Sequence, residues 1–478
     1  MFPINKKNKI VLIVLALVLV AFSVAISLLL PMLDSLPNEN GSNTSSNSSG
    51  TQKHNFFSFS NGDVLNVEIT NSHGKITILR ITEDKKTSFK FEDNPNVELS
   101  ATVAAPSVNF ISTLSSNVPV STDETRLSVY GLDNPTVTVK VRLKDNSEKI
   151  LYIGSEAPAG GFYVNTSDSK DVYLISVNLA YNFMRKRLDY YPLDIFPYVE
   201  LKDFNGLNLK RPDFHDVDII KLSDADYEAA VKEAEAGIKS QYELTTPIKY
   251  DANELYIEKI VTAFSGATAI QTVSDDVSLN NLKKYGLNNP KTLTLKNKDN
   301  EVYYIGNKDA AKNVYYVMKK DVPLIYAVSV ENLSFIEDGA DKYAYTMLML
   351  PALGKLNKLT LETKTDSYVF DLVTNDNATE LEVKYGMKPI SPDEFRKLYV
   401  QIFMATQNGL ATKPASERAF RITYHKKDGT AVKVDYYKID LQHYYVEVNG
   451  EGFFSVKGQM VEKILSDCKR LINGDIIS

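Results

Sequence analysis

The sequence predicts an α+β fold made of tandem repeated modules, each a small antiparallel β-sheet (a meander) with packed helices, after one N-terminal transmembrane helix. Three observations lead to this prediction. A six-residue motif occurs twice, an uncharged apolar segment covers residues 10–30, and short stretches of strand type alternate with brief helical ones.

The repeat is the strongest signal in the chain. Residues 130–135 read Tyr-Gly-Leu-Asp-Asn-Pro, and residues 285–290 read Tyr-Gly-Leu-Asn-Asn-Pro. Three further motifs follow each copy in the same order: Lys-Asp-Asn (144–146 and 298–300), Tyr-Ile-Gly (152–154 and 304–306) and aromatic-Tyr-Val (162–164 and 315–317). A constant order at nearly constant spacing indicates two copies of one domain.

These signals divide the chain into six predicted segments. They are a cytoplasmic basic N-terminus (1–9), a transmembrane helix (10–30), a flexible Ser/Asn linker (31–55), repeat module 1 (56–200), repeat module 2 (201–350) and a divergent repeat module 3 (351–478).

The segment 10–30 is long enough to cross roughly 30 Å of hydrocarbon. It follows three lysines and meets no acid before Asp34, so the N-terminus is expected in the cytoplasm and the bulk of the chain outside it. A cleaved signal peptide is the competing interpretation, because Ala25 and Ser27 are small. The only cysteine is Cys468, which excludes a lipidated start.

In module 1, Ser121-Thr-Asp-Glu124 has the pattern of a capping box that opens a short helix, and Gly131 would close that helix. Residues 136–143 alternate at strand period, and Lys144 to Ser147 would form the hairpin turn. Gly160-Gly161 is best interpreted as another hairpin tip. The repeated motif therefore serves as helix punctuation.

Module 2 repeats this plan. Asp251-Ala-Asn-Glu254 is a second capping box, followed by an apolar-faced helix. Strands are predicted at 292–295, 302–305, 314–318 and 324–328, so the sheet should be antiparallel.

Module 3 lacks the Tyr-Gly-Leu motif but keeps the order of the hairpins. Ser391-Pro392 predicts the start of a helix with Phe395, Leu398, Tyr399, Ile402 and Phe403 on one face. In the last helix, Cys468 lies in an apolar stripe and is predicted to be a small buried residue.

A search for chemistry finds no nucleophile elbow, phosphate loop or dinucleotide fingerprint. His425 and His443 are the best histidine pair, but they lack a third metal ligand. Asp133 corresponds to Asn288 in the second copy, which favours a turn role over acid catalysis. No catalytic residue, cofactor-binding residue, metal site or cofactor is predicted, and the protein is expected not to be an enzyme.

The composition bears on partners. The net charge of −6 makes nucleic acid an unlikely partner. The 28 tyrosines include neighbouring pairs on predicted strands: 303–304, 315–316, 436–437 and 444–445. Adjacent side chains on a strand point to opposite faces, so one of each pair is either exposed for binding or covered by helices.

The sequence resembles the bacterial domain-of-unknown-function 4340 family. The features that carry this resemblance are the apolar N-terminal segment, the repeated Tyr-Gly-Leu-(Asp/Asn)-Asn-Pro, the Lys-Asp-Asn hairpin, Tyr-Ile-Gly and the aromatic-Tyr-Val strand. The resemblance covers the first two modules. It implies an extracytoplasmic, membrane-tethered protein, often encoded beside ABC-type transporter permeases and gliding-type auxiliary components, and it implies no catalytic residue.

Two functions are therefore expected. The first is a non-enzymatic, single-pass membrane protein that is an accessory or scaffold component of an ABC-type transporter system, with the permease complex as its partner. The alternative is a cell-surface binding module for wall glycan or peptide. A small-molecule ligand cannot be identified from the sequence.

Overall fold

The structure is a computed structural model that describes residues 54–116, 119–122, 124–235 and 238–477. Strands take up 40% of these residues and helices 24%, so the fold is mainly antiparallel β. The predicted α+β fold with small meander sheets is therefore wrong. The transmembrane helix predicted over 10–30 lies outside the described residues, and no helix within them is long and apolar enough to span a membrane.

The first sheet has eight strands in the order β5-β4-β3-β2-β7-β8-β9-β10, and a two-stranded pair, β1 with β6, lies beside it. The strands are β1 (His54–Asn55), β2 (Val64–Asn71), β3 (Gly74–Glu83), β4 (Lys86–Phe91), β5 (Asn94–Glu98), β6 (Ser115–Ser116), β7 (Val137–Leu143), β8 (Glu148–Glu156), β9 (Phe162–Thr166) and β10 (Ser169–Ile175). Its helices are α1 (Ala101–Asn109) and α2 (Val177–Tyr181), with 3-10 helices at Asn61–Asp63, Phe110–Thr113, Leu127–Tyr130 and Arg187–Tyr190.

The second sheet has nine strands in the order β14-β13-β12-β11-β16-β17-β18-β19-β15. The strands are β11 (Gly206–Lys210), β12 (Val217–Lys221), β13 (Tyr242–Thr246), β14 (Tyr250–Asp251), β15 (Gln271–Ser274), β16 (Lys291–Leu295), β17 (Val302–Asp309), β18 (Val314–Lys319) and β19 (Ile325–Ser329). Its helices are α3 (Asp224–Glu233), α4 (Glu254–Phe264), α5 (Leu279–Lys284) and α6 (Ala340–Tyr343), with 3-10 helices at Leu201–Asp203 and Val330–Glu337.

The third sheet has eight strands in the order β23-β22-β21-β20-β24-β25-β26-β27. The strands are β20 (Leu356–Thr363), β21 (Ser367–Thr374), β22 (Leu381–Tyr385), β23 (Lys388–Ile390), β24 (Arg418–Lys426), β25 (Ala431–Lys438), β26 (His443–Val448) and β27 (Glu451–Lys457). Its helices are α7 (Pro392–Phe403) and α8 (Gly458–Asn473), preceded by a 3-10 helix at Leu353–Lys355.

All three sheets share one topology, and the predicted antiparallel pairing is confirmed. Each sheet contains two four-stranded meanders whose first strands pair with each other: β2 with β7, β11 with β16, and β20 with β24. The second sheet has β15 as an additional edge strand, paired with β19. The hairpins were recognisable in the sequence. The pairing of two meanders into one sheet was not recognisable, because it joins strands that lie tens of residues apart. The sheets are therefore larger than predicted. The module ranges 56–200, 201–350 and 351–478 stay predictions.

The pairs at the centre of each sheet are apolar and buried. Val67 faces Val141 in the first sheet, Leu209 faces Leu293 in the second, and Leu361 faces Ile422 in the third. Burying such side chains contributes about 1.5–3 kcal/mol each. The hydrophobic effect therefore favours the same first-strand pairing in all three sheets.

The apolar core is continuous from the first sheet to the second, while most of the third sheet has a cluster of its own. The rings of Phe196 and Tyr303 lie 4.6 Å apart within the shared core. Tyr250 packs edge-on against Phe454 of the third sheet at 5.0 Å. Polar contacts also join neighbouring sheets, since Arg187 pairs with Asp275 at 2.5 Å.

Of the predicted helix starts, the one at Ser391 is confirmed and the one at Ser121 is wrong. Ser391 caps α7 as predicted by accepting the N–H of Glu394, and Cys468 is buried in α8 as predicted. The helix predicted to open at Ser121 begins at Leu127 instead, because Ser121 forms an antiparallel bridge with Val172.

The second capping prediction is wrong by two residues. Asn253, not Asp251, caps α4, because its side-chain oxygen accepts the N–H of Tyr256 at 3.3 Å. Asp251 belongs to β14 and forms an ion pair with Lys239. A partner from outside the local sequence thus decides the role of this aspartate.

Candidate functional site

The repeated Tyr-Gly-Leu turn ends a helical segment in both copies. Gly131 and Gly286 have φ of +67° and +73°, in the left-handed region that glycine adopts without strain. The N–H of Leu132 donates to the carbonyl of Leu127 at 3.0 Å, and that of Leu287 donates to Leu282 at 2.8 Å. These bonds are typical of a Schellman cap, so the predicted role as helix punctuation is confirmed.

The Tyr-Ile-Gly motif is the surface on which this turn docks. A Cβ atom added to Gly154 would lie 2.1 Å from the carbonyl oxygen of Tyr130, and one added to Gly306 would lie 2.1 Å from that of Tyr285. The backbone approach therefore requires glycine at both strand positions. In the second copy the N–H of Asn307 also donates to the carbonyl of Tyr285 at 2.8 Å.

The third repeated motif completes the same arrangement. The ring of Tyr130 packs edge-on against Tyr163 at 4.9 Å, and that of Tyr285 packs against Tyr316 at 4.6 Å. Three motifs that are separate in the sequence thus form one structural unit, which we call the docked turn. The sequence showed that these motifs recur together but not that they touch.

In the second copy the docked turn borders a cavity of about 440 Å³, which we call the motif cavity. The volume falls within the range of small-molecule pockets. Its lining is mostly polar: Arg211, Pro212, Asp213, Phe214, Gly286, Asn289, Lys291, Ile305, Gly306, Asn307, Ile336 and Glu337. Sequence reasoning missed this site, because Arg211 is far from the motif along the chain.

Arg211 is only 4% exposed, and among the described residues its guanidinium forms no ion pair with a carboxylate. The side chain donates to backbone carbonyls instead: Nε and Nη2 to His215, and Nη1 to Ile336 and Asp338. The guanidinium also lies over the ring of Phe214 at 4.5 Å. Burial lowers the pKa of Arg211.

The remaining charges of the motif cavity are partly neutralised. Lys291 Nζ lies 3.2 Å from Glu337 Oε1, which also accepts the hydroxyl of Tyr315 at 3.1 Å. Asp213 and Asn307 are exposed at its rim. The cavity thus combines one buried cation with amide and carboxylate side chains.

The tyrosine pairs offer little exposed surface. Tyr303, Tyr315, Tyr316, Tyr436, Tyr444 and Tyr445 are all buried, and Tyr304 and Tyr437 are half-buried. Helices and neighbouring loops therefore cover the faces that would otherwise present aromatic rings.

The other sequence candidates stay apart or are structural. His425 pairs with Ala431 at the start of β25, whereas β26 begins with His443 beyond the opposite end of β25. Among the described residues no group of three or more metal-ligating side chains is close enough to hold an ion. Gly160 and Gly161 form the predicted hairpin tip, with φ of +89° and +88°. Burial raises the pKa of the Cys468 thiol.

Residues 108–241 and 243–417 each match the family described as Domain of unknown function (DUF4340). The chain belongs to this family. The two matches are tandem copies, as the repeats predicted. No match was found among curated proteins or among solved structures.

The two DUF4340 segments do not coincide with the sheets. The first runs from α1 through β7–β10 and on into β12 and α3, and the second runs from β13 to the loop before β24. Each segment therefore crosses from one sheet into the next. Both contain the docked turn, whereas the strands β24–β27 lie outside the matched residues.

Proposed function

We propose that this protein is a non-enzymatic, membrane-anchored extracytoplasmic component of an ABC-type transporter system, in which it acts as an accessory or scaffold subunit. The observation that carries the proposal is the docked turn. Gly131, Gly154 and Tyr130 and their counterparts in the second copy are the most strongly repeated residues of the chain, and all of them make scaffold contacts. Duplication has preserved a framework and not a set of reactive groups.

A continuous framework suits a docking role. The core shared by the first two sheets, together with the ion pair of Arg187 with Asp275, links these sheets. Between the second and third sheets, Lys426 Nζ pairs with Glu235 Oε1 at 2.7 Å, and Lys355 donates to the carbonyl of Ala234 at 2.6 Å. Such contacts would hold several surfaces in register for a large partner.

The proposed membrane anchor and the proposed transporter partner are supported by different observations. The uncharged segment 10–30 behind three lysines supports an anchor with a cytoplasmic N-terminus. The family resemblance supports an ABC-type permease complex as the partner. The net charge of −6 is unfavourable for nucleic acid as an alternative partner.

Copurification from native cells tests the proposal. The tagged full-length chain would be purified in mild detergent and its companions identified by mass spectrometry. A variant that lacks residues 10–30 tests the anchor, and a variant that lacks residues 31–51 is a control with a deletion of the same length. We expect a permease and an ATPase with the full-length and control chains and a strong loss with the anchorless chain.

Recovery of no membrane complex with the full-length chain would overturn the transporter role. Sedimentation of the chain with purified cell wall would then favour the alternative of a wall-binding module. The buried tyrosine pairs give that alternative no support in the structure.

A further inference from the structure

Arg211 and Asn71 occupy equivalent places in the second and first sheets. Each residue directly follows the stretch of the first strand that pairs with the second meander, since Lys210 pairs with Thr292 and Thr70 pairs with Thr138. Each side chain donates to two backbone carbonyls at or just after the end of the helical segment that follows the last strand of the second meander.

The two side chains do the same structural work with different charges. Asn71 Nδ2 donates to the carbonyls of Phe183 and Arg185 at 2.9 and 3.1 Å. Arg211 Nη1 donates to those of Ile336 and Asp338 at 3.3 and 2.6 Å. A neutral amide is therefore sufficient for this contact, and the positive charge of Arg211 is not needed for it.

Arg211 is one of the residues that line the motif cavity. A guanidinium has five N–H groups, and within the part of the chain that the structure describes, the four hydrogen bonds of Arg211 to carbonyls leave one N–H of Nη2 without a partner. Among the described residues the guanidinium is held by carbonyls and forms no ion pair, so its charge is incompletely neutralised and an anion entering the cavity would be stabilised.

The neighbouring side chains restrict the kind of anion. Asn289 and Asn307 line the same cavity, and their amides can donate to and accept from a polar ligand. Lys291 pairs with Glu337 in the same lining, but Asp213 adds a negative charge at the rim that disfavours a multiply charged anion. A singly charged carboxylate meets both conditions, and the guanidinium is well suited to that group.

We propose that the motif cavity binds a small carboxylate-bearing solute, with Arg211 as the residue that recognises the carboxylate and Asn289 and Asn307 as its polar contacts. This inference goes beyond the accessory role and does not depend on it. Module 1 would lack the site, because Asn71 carries no charge.

Titration calorimetry on the full-length chain tests the proposal, with lactate as the singly charged probe and inorganic phosphate as the multiply charged one. We expect lactate to bind in the millimolar range and more tightly than phosphate. The variant Arg211→Asn, which installs the side chain of module 1, should weaken lactate binding by about tenfold or more. The matched control Lys210→Asn removes an exposed charge one residue away and should change binding less than about twofold.

The double variant Asn289→Ala, Asn307→Ala keeps the test informative if Arg211→Asn does not fold, because both side chains are exposed. It should weaken lactate binding by about threefold or more. Undiminished lactate binding in a folded Arg211→Asn chain, or no lactate binding by the natural chain, would overturn the proposal. Tighter binding of phosphate than of lactate would overturn the assignment to carboxylates. Copurification of the transporter is a separate readout that none of these results affects.

Discussion

In the first two sheets, the loop before the second meander packs its backbone directly against a glycine of the Tyr-Ile-Gly strand. In the third sheet the equivalent loop runs along β27 instead. The N–H of Asn408 donates to the carbonyl of Ser455 at 2.8 Å, and the N–H of Ser455 donates to Gly409 at 3.0 Å. Leu410 bridges Phe454 on the same strand. The three sheets nevertheless share one topology, so the buried first-strand pairs set the topology and the docked turn sets only the local path of the loop.

The largest expected effect tests the docked turn itself. Gly306→Ala and Gly154→Ala should each lower the free energy of unfolding by about 3 kcal/mol or more, because the new Cβ would lie 2.1 Å from a carbonyl oxygen. Chemical denaturation measures the loss. Gly62→Ala is the control, since the nearest atom to its Cβ is 3.6 Å away. Equal losses in all three variants would show that the docked turn has no special role.

A second comparison concerns two tyrosines in the core around the third sheet, Tyr399 in α7 and Tyr424 in β24. The hydroxyl of Tyr399 donates to the carbonyl of Pro351, whereas the buried hydroxyl of Tyr424 has no partner among the described residues. Tyr399→Phe should therefore cost about 1–2 kcal/mol, while Tyr424→Phe should be neutral or stabilising. Thermal and denaturant unfolding would measure both. A larger loss for Tyr424→Phe than for Tyr399→Phe would contradict this reading of the core.

A third prediction concerns acid stability of the second sheet. Burial acts to raise the pKa of Asp218, but hydrogen bonds from Lys296, Thr245 and Asn208 outweigh it, so the pKa lies below its usual value. A carboxylate with a lowered folded pKa stabilises the fold above its unfolded pKa of about 3.9, and that contribution is lost as pH falls through the folded pKa.

The variant Asp218→Asn should therefore lose about 1 kcal/mol less than the natural chain when the pH is lowered from 5 to 3. Urea denaturation at a series of pH values measures this difference. Asp371→Asn is the control, because this carboxylate lies at an exposed position of the third sheet and solvent screens its ion pair with Lys358. Parallel pH profiles for the natural chain and Asp218→Asn would refute the prediction.

The smallest effects are expected for two ion pairs, one where the second and third sheets meet and one within the third sheet. Lys426→Ala removes the ion pair with Glu235 and should cost about 1 kcal/mol or less, because the pair is partly exposed. Lys364→Ala removes a more exposed pair with Glu417 within the third sheet and should cost close to nothing. A double-mutant cycle with Glu235→Gln would measure the coupling, which should weaken as salt is added.

Local sequence patterns predicted much of the structure. The helix start at Ser391, the buried stripe around Cys468, the glycine caps at Gly131 and Gly286 and the hairpin tip at Gly160 all follow from short-range geometry. The capping boxes at Ser121 and Asp251 failed, because Val172 and Lys239 compete for these residues from elsewhere in the fold. A local sequence pattern cannot predict these contacts with distant residues.

The candidate site shows the same limit. The motif and Tyr-Ile-Gly were visible as repeats, but the motif cavity needs Arg211, which lies 75 residues before Gly286 in the chain and has no motif of its own. The comparison with Asn71 shows that the positive charge of Arg211 is not needed for the contact with the carbonyls. Asn71 and Arg211 are recognised as equivalent only from the strand register.

By itself, the sequence determined the duplication, the family, the antiparallel hairpins and the glycines that turn the chain, because each depends on residues close together or on the order of motifs. Tertiary structure decided that paired meanders form single large sheets, that the third sheet shares their topology without the docked turn, and that most tyrosines of the strand pairs are buried. These outcomes arise from pairing and burial between distant segments, whose free energy no single stretch of sequence contains.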